Sequence, residues 1–263
     1  MAEVLDYKAE AQQLTSLSNE VKKAFNDQFF NAQTNVYSTG SQTAMSMPLC
    51  VGLVDDDKRT AVLNNLIASI NKSGKALTAG DIGFHFLVKA LEEGGASQLL
   101  FDMNYRNDIP GYGFQLKKGA TALTESWAAL EEVSNNHLML GHIMEWFYTG
   151  LGGIKQDQHS VAFKSIVIRP ETVGDISEVK AGYQSPYGVI KSEWTKKNGI
   201  FSLKVEIPVN TSATVYLPAT AANVITESGK AIANQKDIQF IRIENGKALY
   251  KIGSGIYMFK IKL

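Results

Sequence analysis

Cysteine is nearly absent from this sequence, because Cys50 is the only one among 263 residues and no internal disulfide can form. It stands between Leu49 and Val51, an apolar run that favours a buried and unreactive thiol. An excess of one charge is also missing, since 26 basic and 26 acidic residues give a formal net charge of zero. Nucleic-acid and membrane-surface partners need a basic stripe, and we therefore expect neither.

Long hydrophobic runs and cofactor motifs are missing as well. No stretch reaches the apolar length of a membrane-spanning helix, and the first residues lack the basic-then-apolar layout of a signal peptide. The chain has four histidines, none at the spacing of a zinc site. It contains no Gly-x-Ser-x-Gly elbow, phosphate-binding glycine loop or dinucleotide fingerprint. The sequence therefore predicts neither a metal nor a cofactor.

Apolar residues from about 14 to 154 recur at helical spacing. One stripe runs from Val62 through Leu66 to Ile70 and stops before Gly74, and the next begins at Phe84 and stops before Gly95. Glycine and serine turns separate such stretches. We expect about seven antiparallel helices, near 15–31, 41–53, 62–70, 84–91, 96–105, 121–132 and 140–151.

After Gly152-Gly153 the period changes to two. Residues 201–207, 213–217 and 257–263 alternate apolar and polar side chains, as half-buried strands do. Asn198-Gly199, Ser228-Gly229 and Asn245-Gly246 provide turn signals. Strands after a run of helices indicate two packed units rather than a parallel α/β sheet. We predict a helical domain over 1–154 and an antiparallel β-sandwich over 155–263, with the boundary falling within 152–162.

Seven helices are enough for a partial bundle or for half of a double-ring toroid. Half a toroid would leave an apolar inner wall in water, which costs about 25 cal/mol per Å². We therefore expect either that the chain self-associates or that a preceding segment covers this wall.

The densest signal for chemistry lies between Asp108 and Ile154. A turn-rich loop over 108–114 carries Tyr112, and further on Glu125 stands two residues before Trp127. Carbohydrate sites combine aromatic faces with carboxylates that transfer protons at the anomeric carbon. The alternatives are structural: a solvent-facing glutamate, a core tryptophan, and a polar cluster over 134–137 whose His137 caps or packs.

The spacing in this region resembles the signature of bacterial α-L-rhamnosidases, glycoside hydrolase family 78. Gly119-Ala120-Thr121, Glu125 and Trp127 come first, and Ser134-x-Asn136-His137 and residues 145–148 follow. Other segments resemble the barrel or the C-terminal domain of the same family, so the likeness spans nearly the whole chain: 37–44, 77–83, 163–170, 185–194 and 207–218. The family commonly has tryptophan before the glutamate, where this chain has Thr124, and this departure bears on substrate preference.

The resemblance implies the second half of an (α/α)6 barrel followed by a C-terminal β-sandwich, in a bacterial enzyme that hydrolyses terminal α-L-rhamnosides with inversion. It makes Glu125 the general base that activates water. His137 would contact the rhamnose hydroxyls, and Trp127 and Tyr112 would line the pocket. The substrate would be a rhamnose-containing glycoside or polysaccharide. The compartment stays open between cytoplasm and periplasm.

One catalytic group is missing from the pattern. An inverting hydrolase needs a second carboxyl group about 6.5–9.5 Å from the base, acting as general acid. In the family this acid lies in a segment before the part that resembles residues 1–263, and we therefore expect the chain alone to be nearly inactive. Two alternatives stay open: a non-catalytic carbohydrate-binding module, and an (α/α)6 glycosidase acting on uronic or other deoxy sugars.

Overall fold

The computed structural model describes residues 1–219 and 225–263, without the side chain of Asn234. The chain divides into two compact units, Met1–His142 and Ile143–Leu263. The first is helical and the second is built from β-strands. This is the predicted fold class, a helical domain followed by an antiparallel sheet domain, while the predicted boundary after residue 154 stays a prediction. No helix in the described ranges combines the length and the hydrophobicity of a membrane span.

The first unit consists of helices joined by short connections. A short β-hairpin with strands of two residues each follows the first helix, and a 3-10 helix ends the unit. The elements are α1 (Lys8–Phe29), β1 (Phe30–Asn31), β2 (Val36–Tyr37), α2 (Gln42–Cys50), α3 (Asp56–Lys72), α4 (Asp81–Glu93), α5 (Ser97–Tyr105), α6 (Tyr112–Lys117) and the 3-10 helix Leu138–His142.

The core of this unit forms where α3 and α4 bury the stripes that the sequence predicts. Val62, Leu66 and Ile70 are buried on α3, and Phe84, Leu87, Val88 and Leu91 are buried on α4. Ser41 caps α2 by accepting the Ala44 N–H at 3.2 Å. Both predicted glycine terminators adopt left-handed backbone, Gly74 at φ 70° and Gly95 at φ 73°.

The sequence expectation is wrong for the segment before the 3-10 helix. Residues 121–132, predicted as a helix, are irregular, whereas α6 (Tyr112–Lys117) begins inside the loop predicted over 108–114. The N–H of Glu125 donates to Ser134 O and the N–H of Gly111 donates to Trp127 O. These long-range hydrogen bonds and the burial of Trp127 outweigh the helix propensity of the Ala-, Leu- and Glu-rich sequence.

The second unit opens with a short helical turn and continues as two sheets. The predicted last helix divides into three pieces, the 3-10 helix above, α7 (Ile143–Trp146) and the π-helical turn Phe147–Leu151. The strands are β3 (Ile154–Gln156), β4 (Ser165–Ile168), β5 (Glu178–Ser185), β6 (Gly188–Lys197), β7 (Ile200–Ile207), β8 (Ser212–Leu217), β9 (Ile225–Glu227), β10 (Lys230–Ala231), β11 (Ile238–Glu244), β12 (Lys247–Ile252) and β13 (Gly255–Lys262).

The strands form a six-stranded sheet, β10-β9-β13-β7-β6-β5, and a five-stranded sheet, β11-β12-β8-β4-β3. The pairs are antiparallel except β4 with β8, which run parallel. All three predicted turns join adjacent strands as two-residue hairpins with positive φ at both turn residues, as in type I′ turns. Side chains from both sheets share one apolar core that includes Trp194, Phe201 and Phe259.

Candidate active site

Glu125 lies on an irregular segment that is paired with the residues before the 3-10 helix. Its N–H donates to Ser134 O at 2.8 Å, and the His137 N–H donates to Leu123 O at 2.7 Å. These two bonds bring the segments of Glu125 and His137 side by side, although the sequence predicts a helix for the first. The pairing therefore fixes both backbones without regular secondary structure.

The carboxylate of Glu125 is exposed and accepts a backbone hydrogen bond. Its Oε2 accepts the Ser134 N–H at 3.1 Å. A carboxylate held in this way has one oxygen engaged by the protein, and the other oxygen can polarise a water molecule. Ser134 thus supports the side chain from the same segment that pairs with its backbone.

His137 is half-buried, with its side chain 23% exposed, and its Nε2 faces the first turn of α4. Asp81 Oδ2 lies 3.5 Å from Nε2. The other Asp81 oxygen accepts the Ile82 N–H at 2.8 Å. Asp81 of α4 thus faces the imidazole of His137.

Trp127 and Tyr112 belong to an aromatic cluster around Phe84 of α4. The Trp127 ring lies 4.8 Å from Phe84 and 5.1 Å from Tyr112, with edge-to-face geometry in both pairs. Trp127 Nε1–H donates to Ala79 O at 2.7 Å, and the Tyr112 hydroxyl donates to Leu140 O. Trp127 is only 8% exposed, so most of its ring contacts protein, and its predicted sugar contact stays a prediction.

A surface hollow of about 510 Å³ opens beside this segment. Residues 119–121 of the rhamnosidase-like motif line it together with Thr124, whereas Glu125, Trp127, Tyr112 and His137 are not among its lining residues. Most of the lining side chains are small, and three charged side chains also line the hollow: Lys118, Glu131 and Glu132. Its volume falls in the range of small-molecule pockets. Thr124 itself is buried, and its hydroxyl donates to Ser126 O at 2.7 Å.

The loop before α4 is held by hydrogen bonds that the sequence does not predict. Gln42 of α2, only 5% exposed, accepts the N–H groups of Thr78 and Ala79 and donates to Ala76 O. The sequence marks residues 77–83 only as a barrel-like segment. Nothing in its pattern shows that Gln42 holds this loop. Across residues 1–219 and 225–263, no group of three or more His, Cys, Asp or Glu side chains is placed to hold a metal ion.

Two family models match the chain in succession. Residues 1–151 match the bacterial alpha-L-rhamnosidase 6 hairpin glycosidase domain. Residues 153–231 match the bacterial alpha-L-rhamnosidase C-terminal domain.

Curated relatives agree with these models. An α-L-rhamnosidase of Streptomyces avermitilis is 27% identical over 256 residues, covering 94% of this chain and 24% of that protein. One of Formosa agariphila is 27% identical over 270 residues, covering 99% of this chain and 29% of that protein. The chain thus spans about a quarter of the length of these relatives.

Solved structures give the same result. The Streptomyces avermitilis α-L-rhamnosidase complexed with L-rhamnose matches with a TM-score of 0.87 and 26% identity, covering 96% of this chain and 24% of that chain. The α-L-rhamnosidase from Dictyoglumus thermophilum also matches with a TM-score of 0.87, at 27% identity, covering 100% of this chain and 30% of that chain.

Proposed function

Since the chain belongs to the bacterial α-L-rhamnosidase family, we propose that it is the C-terminal portion of a glycoside hydrolase that removes terminal α-L-rhamnose with inversion. The named relatives are α-L-rhamnosidases, and one of the matching structures is complexed with L-rhamnose. The substrate is then a rhamnose-containing glycoside or polysaccharide. The exposed carboxylate of Glu125, which accepts the Ser134 N–H within the family motif, is the observation that carries this proposal.

Glu125 acts in this proposal as the general base. One of its oxygens is engaged by the Ser134 N–H, and the other is available to take a proton from a water molecule attacking the anomeric carbon. Because the carboxylate is exposed, it is accessible to that water. The opposite side of the sugar ring must then meet a general acid.

His137 binds a rhamnose hydroxyl in this proposal, and Trp127 with Tyr112 forms the aromatic wall of the sugar site. Support comes from the shared backbone pairing of Glu125 and His137 and from the contact between the two aromatic rings. Both rings are anchored through hydrogen bonds to backbone carbonyls, which keeps such a wall rigid.

The general acid and part of the barrel are contributed by other residues of a longer protein or by a second chain. The matched family domain has six hairpins, and the curated relatives are several times longer than this chain. On α1 the apolar side chains of Leu14, Leu17 and Val21 are exposed, a surface of the kind that another helix covers. The isolated chain should therefore be inactive or nearly so.

Hydrolysis of an aryl α-L-rhamnoside tests the proposal, with proton NMR identifying the anomer released first. In an intact enzyme that contains this chain, Glu125→Gln should lower kcat by about 10²–10⁴-fold while the protein stays folded. Glu93→Gln, at another exposed glutamate of the same unit, is the matched control. An unchanged rate with Glu125→Gln would remove this residue from the mechanism.

The isolated chain offers a second test. Full turnover by these 263 residues would contradict the need for an external acid. Calorimetric titration of the isolated chain with rhamnose distinguishes an incomplete enzyme from a non-catalytic carbohydrate-binding module. Binding would favour the module, because a module has to bind the sugar without any other part of the barrel.

A further inference from the structure

The loop that precedes α4 is held from both sides by hydrogen bonds. Gln42 Oε1 accepts the N–H groups of Thr78 and Ala79 at 2.9 and 3.1 Å, and its Nε2 donates to Ala76 O at 2.7 Å. On the other side Ala79 O accepts the indole N–H of Trp127 at 2.7 Å. The loop that leads to Asp81 is thus fixed to α2 and to the Glu125 segment together.

The first turn of α4 is fixed equally closely. A Cβ atom added to Gly83 would lie 1.9 Å from Thr43 Oγ1, so the backbone of α4 directly contacts the Thr43 side chain of α2. The Phe84 N–H donates to Gly80 O at 2.8 Å and begins the helix. Asp81 stands between these two points, and its backbone is therefore fixed.

The two oxygens of Asp81 face different groups. Oδ1 accepts the Ile82 N–H at 2.8 Å, whereas Oδ2 lies 3.5 Å from His137 Nε2. Nε2 is shielded from solvent and makes no hydrogen bond within the described part of the chain. The distance is at the outer limit for a hydrogen bond, and catalytic hydrogen bonds often tighten only when substrate binds.

We propose that Asp81 is a positioning residue that holds the imidazole of His137 in one orientation and one tautomer. A carboxylate accepts hydrogen bonds only, so the Asp81 side selects the tautomer with its proton on Nε2. Nδ1 is then an acceptor, and a sugar hydroxyl that meets it has to donate. The requirement for a donating sugar hydroxyl rests on the proposed function, in which His137 contacts rhamnose. The contact between Asp81 and His137 is independent of the proposed function.

The selection of one tautomer has a consequence for substrate choice. A fixed acceptor at Nδ1 can accept a hydrogen bond from a sugar hydroxyl. A deoxy analogue that lacks this hydroxyl would leave the acceptor without a partner. Sites built to bind a hydroxyl discriminate strongly against analogues that lack it, because the buried polar group loses its partner. Asp81 would thus contribute to sugar specificity without touching the sugar.

Nitrogen-15 NMR of the complete 263-residue chain tests the proposal directly. At alkaline pH the His137 ring should carry its proton on Nε2, and this proton should exchange slowly with water. Asp81→Ser keeps a short oxygen near the Ile82 N–H but withdraws the acceptor from His137, so the slow Nε2–H signal should disappear. Asp57→Ser, an exposed aspartate in the first turn of α3, is the matched control and should keep the signal.

Two results would overturn the proposal. One is a wild-type His137 with its proton on Nδ1, which decides the question even if Asp81→Ser does not fold. The other is a folded Asp81→Ser protein that retains the slowly exchanging Nε2–H.

Kinetics of an intact enzyme containing the chain add a readout that a purely structural role would not reproduce. Asp81→Ser should raise KM about tenfold, with a smaller change in kcat, because one hydrogen bond to substrate is weakened. An unchanged KM would contradict the positioning role. Failure of the Glu125→Gln test would remove the proposed function while the NMR result on Asp81 still stands, so the two failures can be told apart.

Discussion

At the scale of single residues, Tyr37 shows how burial controls a titratable group in the helical unit. Its side chain is 1% exposed, and its hydroxyl donates to Asn26 Oδ1 at 2.9 Å. Burial, followed by the negative charge of Asp55, raises the pKa of Tyr37 to about 12. Because the pKa of Tyr37 is higher in the folded than in the unfolded protein, the protonated hydroxyl stabilises the fold. This contribution is complete below about pH 10 and is lost as the pH rises through 12.

We expect Tyr37→Phe to lower the free energy of unfolding at pH 7 by about 1 kcal/mol, because the Asn26 acceptor loses its donor. Above pH 10 the variant should lose stability less steeply than the wild type, since phenylalanine cannot ionise. Urea unfolding at several pH values between 7 and 11 measures both effects. Tyr7→Phe at an exposed tyrosine is the control. Parallel pH profiles for wild type and Tyr37→Phe would contradict the assigned pKa.

At the scale of elements, the close approach of α2 and α4 is the feature that holds the loop of Asp81. Gly83 is buried in the first turn of α4, and an added Cβ would lie 1.9 Å from Thr43 Oγ1 and 2.9 Å from Thr43 Cγ2. Alanine is the better helix former, by about 1 kcal/mol. The steric conflict therefore opposes the helix propensity, and the sign of the measured change shows which effect is larger.

We expect Gly83→Ala to destabilise the protein by about 1–3 kcal/mol, as overpacking of a dense interior does. Thr43→Ala removes two of the three close atoms and should recover part of the loss in the double variant, which a double-mutant cycle would show. Gly80→Ala, one turn earlier with open space around its Cβ, is the control and should have little effect. A stabilised Gly83→Ala protein would mean that α2 and α4 are packed more loosely.

The elements also show which parts of the structure a sequence can predict. Asn198-Gly199 forms its hairpin because the turn needs only the local preference of two residues for positive φ. The helix predicted over 121–132 fails for the opposite reason. Its Trp127 bonds to Ala79, 48 positions away, and such a partner has no local signature.

The candidate site follows the same rule. Glu125 and His137 come from a family signature that is contiguous in sequence. The hydrogen bonds of Gln42 and the position of Asp81 facing His137 depend on tertiary packing, so the pattern of residues could not reveal them.

At the scale of the whole molecule, catalysis needs two carboxyl groups on opposite sides of a sugar, and the proposed mechanism finds one of them in this chain. The family models match residues 1–151 and 153–231, while the relatives extend over about four times the length that is shared. Membership of the family is therefore a property of this chain, whereas rhamnoside hydrolysis is proposed for a larger assembly. If a larger assembly covers α1, the isolated chain should expose the apolar surface of this helix.

Helix α1 has 22 residues and buries none of them. Leu14, Leu17 and Val21 follow each other at helical spacing, are each more than half exposed, and form an apolar stripe. Burying such a stripe gains about 25 cal/mol per Å², so the isolated chain should associate as its concentration rises.

Sedimentation velocity from 1 to 100 µM, a concentration range of about 10²-fold that corresponds to roughly 2.7 kcal/mol of association free energy, tests this expectation. The double variant Leu17→Glu/Val21→Glu should stay monomeric, because two charges on the stripe would have to lose their hydration on contact. Ser16→Glu/Asn19→Glu adds the same charges on the opposite face of α1 and should associate as the wild type does. A wild-type chain that is monomeric throughout, or a control that dissociates equally, would show that the stripe does not mediate association.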